Sequence, residues 1–382
     1  MRRLTLSGKG QRQRDRALDD ARFMRKAIAL AERGRGTTSP NPMVGALVVD
    51  ADGVIVGRGA HRVAGGPHAE VIALDDAGAR ARGATLYCTL EPCSHTGRTG
   101  PCAPLVTSAG ITRAVIAIED PNPLVQGRGL AHLRDRGIDV VVGVERERAE
   151  GQNAVFLTAM RAKRPHVTLK AALSVDGRIA AAPGMRTALT GAAANRRVHR
   201  QRAEVDAIGI GSGTLLVDDP LLTARGAYRG RPLARVVFDR RLRTPPTARV
   251  LSTLDAGPVI IVTGERACCD ARAQAEALTD AGARILALPA DDLATALAAL
   301  HHGAGITSLV LEGGAALHRA ALDAGVVDAV HLYITPTRIG PLGVNWIGER
   351  RLAWDGLKDR RSRWLGADIL VEGRVEHVHR TH

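Results

Sequence analysis

His68-Ala69-Glu70, Glu91-Pro92-Cys93 and Cys102 bring one nitrogen ligand, two sulfur ligands and a carboxylate into a short stretch of chain. Zinc held by one histidine and two cysteines keeps a fourth tetrahedral position open for water. Water on such an ion has a pKa near ~7, so hydroxide is available at neutral pH. Glu70 stands two residues from the imidazole and is left to carry protons. These are the parts needed for hydrolytic deamination of a nucleobase-like ring.

Deaminases of this type show His-x-Glu followed by Pro-Cys-x-x-Cys. The first half fits, and so does Pro92-Cys93, but eight residues separate Cys93 from Cys102. The insert Ser94–Pro101 is polar, with two glycines and a proline, and reads as a loop that returns before a helix near Cys102. Such a loop can bring both sulfurs to one metal and carry substrate contacts, with His95 and Arg98 at its tip. Two rival readings stay open here. His95 as a fourth ligand would close the site as a structural zinc, leaving Glu70 without a task. A Cys93–Cys102 disulfide would need an oxidising compartment.

A chain of 382 residues is long enough for two ordinary domains. Apolar residues make up 45% and aromatics only 2%, so the cores must be built from Ala, Val, Leu and Ile. No apolar run reaches the ~18 residues of a membrane span. The basic N-terminus lacks the apolar segment of a signal peptide, and the five cysteines do not form a disulfide framework pattern. A soluble, cytoplasmic protein with no membrane partner is expected. The net charge of +14 invites a nucleic-acid reading. Against it, almost all the basic residues are arginines spread along the whole chain, and the aromatic platforms that stack single strands are scarce. No specific nucleic-acid partner is expected. The first 26 residues are the most basic stretch, and residues 1–16 of it are expected to form a flexible arm.

The elements that must position these groups follow from periodicity. Residues 17–33 have helical spacing and stop at Gly34. Val44–Asp50 and Val54–Gly59 flank Asp52-Gly53, a hairpin turn signal. A helix should start near His68. Thr85–Thr89 reads as a buried strand running into Glu91-Pro92-Cys93. Ala103–Ala109 is a helix, Ala114–Ile118 a strand, Leu130–Arg136 a helix and Asp139–Gly143 a strand. This order implies a three-layer α/β domain over residues 17–162. Ligands at two helix N-termini make sense there, because the helix dipoles favour thiolate and hydroxide.

A helix around Glu145–Arg161 ends in Arg161-Ala162-Lys163-Arg164-Pro165, which reads as the domain boundary. A second α/β domain with a mostly parallel sheet is expected over residues 166–377. Its strands are expected at Val167–Ala172, Ala207–Ile210, Arg235–Asp239, Val259–Thr263, Arg284–Ala287 and Ser308–Leu311, closed by Val330–Thr335 and Ala367–Arg374. Helices are expected at Ala192–Arg202, Ala271–Ala281, Leu293–His301 and Ala315–Ala324.

Two glycine clusters in that half follow strands: Gly209-Ile210-Gly211-Ser212-Gly213-Thr214 and Glu312-Gly313-Gly314. Small residues there let backbone amides and a helix N-terminus approach a phosphate; each cluster can equally be a tight turn. The first is not a full Gly-x-Gly-x-x-Gly, and no acid stands at the distance of a ribose contact. Asp218-Asp219-Pro220, then Leu222 and Arg225, suggests a rigid loop presenting polar groups or else a solvated turn.

At this point the chain resembles the bifunctional deaminase/reductase family of riboflavin biosynthesis. The resemblance rests on Pro40-Asn41-Pro42-Met43-Val44-Gly45, His68-Ala69-Glu70, the run Thr89–Cys102 and Asp120-Pro121-Asn122-Pro123. In the second half it rests on Leu169-Lys170, Ser174-Val175-Asp176-Gly177, Gly213-Thr214, Asp218-Asp219-Pro220 and Glu312-Gly313-Gly314. The long loop between the cysteines is that family's own form of the motif. The resemblance implies a cytidine-deaminase-like N-terminal domain and a dihydrofolate-reductase-like C-terminal α/β domain. The first would deaminate 2,5-diamino-6-ribosylamino-4(3H)-pyrimidinone 5′-phosphate. The second would use NADPH to reduce the ribosyl group to ribityl.

Carried onto this chain, the resemblance implies one zinc ion on His68, Cys93 and Cys102, with Glu70 as proton carrier. Asn41, His61, Arg98, Asp120 and Asn122 would contact the first substrate, Arg98 through its phosphate. Lys170, Arg202, Leu222, Arg225 and Glu312 would hold the sugar phosphate in the reductase. Leu173, Thr214, Asp218, Gly313 and Gly314 would lie along NADPH. A homo-oligomer is expected. The run Met185–Thr190 departs from the family: Arg186 stands for a substrate-contacting serine and Ala188 for a tryptophan that packs on the cofactor. The nicotinamide position therefore loses an aromatic wall, and Arg186 is a candidate phosphate ligand instead. Three other readings remain: a deaminase with a decayed reductase half, a nucleic-acid deaminase, and a non-enzymatic zinc scaffold.

Overall fold

The computed structural model describes residues 8–94, 100–123, 125–290, 292–348 and 356–375. The chain divides into two compact units, Met1–Arg161 and Ala162–His382. No described helix is long and apolar enough to cross a membrane.

The first unit runs α1 (Gly8–Ala31), β1 (Gly45–Val49), β2 (Ile55–Ala60), α2 (Ala69–Ala77), β3 (Thr85–Cys88), α3 (Cys102–Ser108), β4 (Arg113–Ile116), α4 (Arg128–Asp135), β5 (Asp139–Val142), α5 (Arg146–Gln152) and α6 (Ala154–Ala162). Its five-stranded sheet has the order β2-β1-β3-β4-β5. β1 is antiparallel to β2 and β3, and β3, β4 and β5 are parallel. Backbone contact fixes the layers. A Cβ on Gly45 would lie 2.1 Å from the carbonyl oxygen of Ala27 in α1, and one on Gly59 would lie 1.9 Å from that of Ala69 in α2. Gly59 pairs with Ala46, the neighbour of Gly45, so the two glycines face opposite sides of the sheet. Helix α1 therefore covers one face and α2 the other, as a three-layer domain requires.

Two expectations for this unit need correction. The first helix begins at Gly8, well ahead of residue 17, so residues 8–16 of the basic stretch are its first turns. It is anchored further on, where buried Asp20 accepts from Tyr87 Oη at 2.8 Å and from both terminal nitrogens of Arg113 at 2.8 and 2.7 Å. The single helix expected at Glu145–Arg161 is two helices broken at Asn153. The Asn153 amide is spent on a residue 110 positions earlier in the chain. Its Nδ2 donates to Met43 O at 2.9 Å and its Oδ1 accepts from Met43 N at 2.8 Å.

The second unit runs β6 (His166–Ser174), β7 (Arg178–Ala180), α7 (Ala192–Glu204), β8 (Ala207–Gly211), α8 (Ser212–Asp218), β9 (Ala234–Phe238), β10 (Val259–Gly264), α9 (Glu265–Asp270), α10 (Arg272–Asp280), β11 (Ala283–Leu288), α11 (Leu293–Ala304), β12 (Ser308–Gly313), α12 (Ala315–Asp323), β13 (Ala329–Thr335), β14 (Val344–Asn345), β15 (Leu357–Leu365) and β16 (Asp368–Val375). Its nine-stranded sheet has the order β11-β10-β9-β8-β12-β6-β13-β16-β15. All pairs are parallel except β13–β16 and β16–β15. The parallel strands are near-continuous apolar runs, as burial on both faces demands. The helix expected at Ala271–Ala281 is present as α10, and a further short helix, α9, precedes it. The second half of the first glycine cluster, from Ser212, opens a short helix, α8. The separate antiparallel pair β7–β14 and the edge strand β15 are additional elements.

Candidate functional site

The first constellation assembles where α2, the β3 end and α3 meet. His68 is the extended residue that precedes α2. Its Nδ1 lies 3.2 Å from Cys102 Sγ and 3.5 Å from Cys93 Sγ. All three ligand atoms fall within 4.8 Å of one another, and among the described residues they form a group able to hold a metal. Cys102 opens α3, and its N–H donates to Cys93 Sγ at 3.4 Å. Hydrogen bonds from the Cys102 thiol, from His68 and from that amide hold the Cys93 thiol well below its usual range. A thiolate-prone cysteine, a second thiol and an imidazole are the donor set of tetrahedral zinc, with a position to spare.

Glu70 sits in the first turn of α2, only 4% exposed. Burial pushes its carboxyl up to about 7, the direction expected of a group that must both take and give a proton. His61 is buried beside His68, the rings edge to face with centroids 5.7 Å apart. Asn41 Nδ2 is 3.2 Å from His61 Nε2, and His61 Nδ1 is 3.0 Å from Pro67 O. An amide NH2 can only donate and a carbonyl can only accept, so these partners assign the His61 proton to Nδ1. Burial lowers its pKa, in keeping with a neutral ring. Asn41 N donates to Thr38 O at 2.7 Å, and two residues on the backbone at Met43 is held by Asn153. Asp120 is buried, accepts from Asn122 N at 2.9 Å, and its own N–H donates to Glu91, two residues from Cys93. His68, Cys93, Cys102, Glu70, His61 and Asn41 thus converge, and Asp120 and Asn122 are tied to the same loop. Arg98 and the rival ligand His95 lie outside the described residues.

A second constellation lies in the Ala162–His382 unit. Glu312 on β12 accepts from Arg202 Nε at 2.6 Å and from a terminal nitrogen at 2.7 Å. Lys170 Nζ on the adjacent β6 is 4.0 Å from the same carboxylate. Burial opposes ionisation of Glu312, yet Arg202 and Lys170 pull its pKa down to about 2. Two cations around one carboxylate leave a positive charge for an anion. Arg202 also donates to Thr223 O at 3.0 Å, and Arg225 reaches Thr223 Oγ1 at 3.1 Å. Leu222, buried with φ of 53°, sets the course of that loop. Lys170, Arg202, Leu222, Arg225 and Glu312 are therefore one cluster.

Next to it, a Cβ on Gly313 or Gly314 would lie 3.4 or 3.2 Å from Thr214 Oγ1, so β12 and α8 meet backbone to side chain. Asp218 ends α8, and Arg186 acts on it electrostatically. Ala188 is exposed. Leu173 is part of the hydrophobic core. A cavity of about 490 Å³ opens at the carboxyl ends of β8, β9, β10 and β11, lined among others by Gly211, Gly213, Thr263, Arg240, Arg241 and Arg243. Thr263 Oγ1 there is buried and, among the described residues, without a hydrogen-bond partner, and Arg243 donates to Ser212 Oγ at 2.7 Å. The arginines are not among the sequence-derived site residues. Their signal was three basic residues directly after a strand, hidden by the arginine-rich composition.

Comparison with known proteins bears on both units. Residues 18–118 match the cytidine and deoxycytidylate deaminase zinc-binding region. Residues 165–371 match the RibD C-terminal domain, through the departure at Met185–Thr190. The riboflavin biosynthesis protein RibD of Bacillus amyloliquefaciens is 44% identical, over 83% of this chain and 85% of that relative. The chain belongs to the RibD family. It is similar to the solved Acinetobacter baumannii RibD, with TM-score 0.81 and 36% identity over 94% of this chain and 100% of that one. It is likewise similar to the Thermotoga maritima diaminohydroxyphosphoribosylaminopyrimidine deaminase/5-amino-6-(5-phosphoribosylamino)uracil reductase, with TM-score 0.81 and 34% identity over the same shares. As a RibD, the protein is a riboflavin-biosynthesis enzyme with deaminase and reductase activities in two domains. The zinc-scaffold and nucleic-acid-deaminase readings find no support in these likenesses.

Proposed function

We propose that this RibD deaminates 2,5-diamino-6-ribosylamino-4(3H)-pyrimidinone 5′-phosphate in residues 17–162 and reduces the product with NADPH in residues 166–377. The observation that carries the reading is buried Glu70 beside the His68, Cys93 and Cys102 cluster. His68 Nδ1 and the two sulfurs would hold one zinc ion. When bound, zinc supplies Lewis acidity that brings the pKa of water toward neutrality. Glu70 takes a proton from the attacking water and gives it to the ring nitrogen. A second transfer through the same carboxyl serves the departing amine, so the ring gains an oxygen and ammonia leaves. Asn41, His61, Asp120 and Asn122 orient the pyrimidine, and Arg98 takes its phosphate.

In the reductase, Lys170, Arg202, Leu222, Arg225 and Glu312 hold the sugar phosphate. NADPH supplies the hydride. Leu173, Thr214, Asp218, Gly313 and Gly314 border its path, with Arg186 and Ala188 in the flanking loop. The cavity fits the cofactor's far end: Gly211 and Gly213 permit close approach, the orphan hydroxyl of Thr263 seeks a partner, and Arg240, Arg241 and Arg243 match a phosphate. The deciding experiment feeds the diaminopyrimidine phosphate to purified protein with and without NADPH and weighs each product. Loss of NH2 for OH without NADPH, and a further gain of two hydrogens with it, is the expected result. No mass change in either arm would end the reading, and the first change alone would restrict it to the deaminase.

A further inference from the structure

Glu91 belongs to the motif that supplies Cys93, yet its carboxylate is engaged elsewhere. Its side chain is buried, and both oxygens are spent on backbone amides of a segment about 30–40 residues further on. Oε2 accepts from Asp120 N at 3.2 Å and Gly127 N at 3.0 Å. Oε1 accepts from Gly129 N at 2.9 Å and Leu130 N at 3.3 Å. Helix α4 needs such a partner. The residue that caps it is Gly127, left-handed at φ 75° and without a side chain to meet the free N–H groups. A carboxylate there also meets the positive end of the helix dipole.

The contact extends to the main chain on both sides. Glu91 N donates to Ile118 O at 3.0 Å. A Cβ on Gly129 would lie 1.9 Å from Pro92 O, so only glycine lets α4 press against the residue before Cys93. Cys93 O in turn accepts from Ala103 N at 3.0 Å, next to Cys102. One carboxylate therefore couples the loop that carries a ligand to the loop that carries Asp120 and Asn122.

We infer that Glu91 is a positioning residue of the deaminase, which sets the substrate-contacting loop 118–123 against the metal-ligand loop and so governs substrate binding rather than metal retention. This rests on the proposed roles of Asp120 and Asn122. In Glu91→Gln one oxygen becomes an NH2 facing N–H donors, so at least one pair of amides loses its acceptor.

The test uses the full-length, zinc-loaded chain. For Glu91→Gln, KM for the diaminopyrimidine phosphate should rise about tenfold or more while kcat stays within about threefold. Zinc content should match wild type, and NADPH oxidation with the deaminated intermediate should be unchanged. A wild-type KM, or joint loss of zinc and kcat at wild-type KM, overturns the inference. Should that variant not fold, Gly129→Ala strains the same junction from the helix side and should give the same raised KM; an unaltered KM in folded protein again overturns it. Amide exchange in the wild type gives a third arm. The N–H groups of Asp120, Gly127, Gly129 and Leu130 should be slow, and fast exchange there defeats the idea. If the wild type does not deaminate this substrate, the functional reading fails, and the exchange data still decide whether Glu91 holds the junction.

Discussion

A methyl group on Gly59 would sit 1.9 Å from the carbonyl oxygen of Ala69. Strand β2 thus touches the backbone of α2 between His68 and Glu70, the two residues on which the ligand cluster and the proton carrier depend. Gly57 makes the same approach to Ala73 O, at 2.1 Å for an added Cβ. Gly59→Ala must push α2 outward. Overpacking of this kind costs about 1–3 kcal/mol, and misplacement by ~1 Å can slow an enzyme about a hundredfold. The expected outcome is a lower unfolding temperature, weaker zinc retention and deamination slowed at least about tenfold, with the reductase step intact. Thermal unfolding, elemental zinc and the two half-reactions measured separately decide it. Wild-type deamination in folded Gly59→Ala would show that α2 does not need this contact.

Glu70→Gln keeps the shape of the side chain and removes its capacity to shuttle protons. The amide fills the same buried volume, so zinc content should stay at the wild-type level. Ammonia release should fall by about 10²–10⁴-fold, the usual worth of a positioned acid–base group. Near-wild-type release from a zinc-replete variant would assign proton transfer to another group.

What could be read from the sequence, and what could not, follows the range of the interactions. His68, Cys93, Cys102 and Glu70 were legible because zinc chemistry demands those residue types close together in the chain. The strands β1 to β5 were legible from short apolar runs and from Asp52-Gly53, and the parallel core of the second sheet from near-continuous apolar runs. The break at Asn153 was not, since its cause is a pair of hydrogen bonds to Met43, 110 residues away. Glu91 looked like part of a ligand motif because its four partners lie 29 to 39 residues downstream. β15 escaped because nearly all its residues are exposed and many are charged, so it has no apolar period to read. Arg240, Arg241 and Arg243 were lost against a chain rich in arginine.

Those three arginines make cofactor choice testable. NADPH differs from NADH by one phosphate, and guanidinium groups at the cavity wall are suited to bind it. Arg243 is fixed by its bond to Ser212 Oγ, so it is the one held ready. Arg243→Gln should raise KM for NADPH about ten- to hundredfold. KM for NADH should change much less, narrowing the preference between them. Steady-state reduction with both cofactors measures this. An equal rise for both would mean that Arg243 shapes the cavity without reading the phosphate.

The indole N–H of Trp346 donates to His318 Nδ1 at 2.7 Å, and His318 Nε2 lies 3.2 Å from Leu311 O. These partners fix a neutral ring with its proton on Nε2, since a second proton would set Nδ1–H against the indole N–H. Burial pushes the pKa of His318 down to about 3, and burial does the same to His331. Unfolded histidine titrates near ~6.5. Above that pH both states are neutral and the full stability is present. Below it the unfolded chain binds protons that the folded one refuses, so stability falls with falling pH, by up to about 1.4 kcal/mol per pH unit for each histidine. The Ala162–His382 unit should therefore lose unfolding temperature between pH 7 and pH 5, before most carboxylates titrate. His318→Gln should start from a lower value and show a shallower slope. Calorimetry of both proteins across that range tests the account; an unchanged slope in the variant would remove His318 from it.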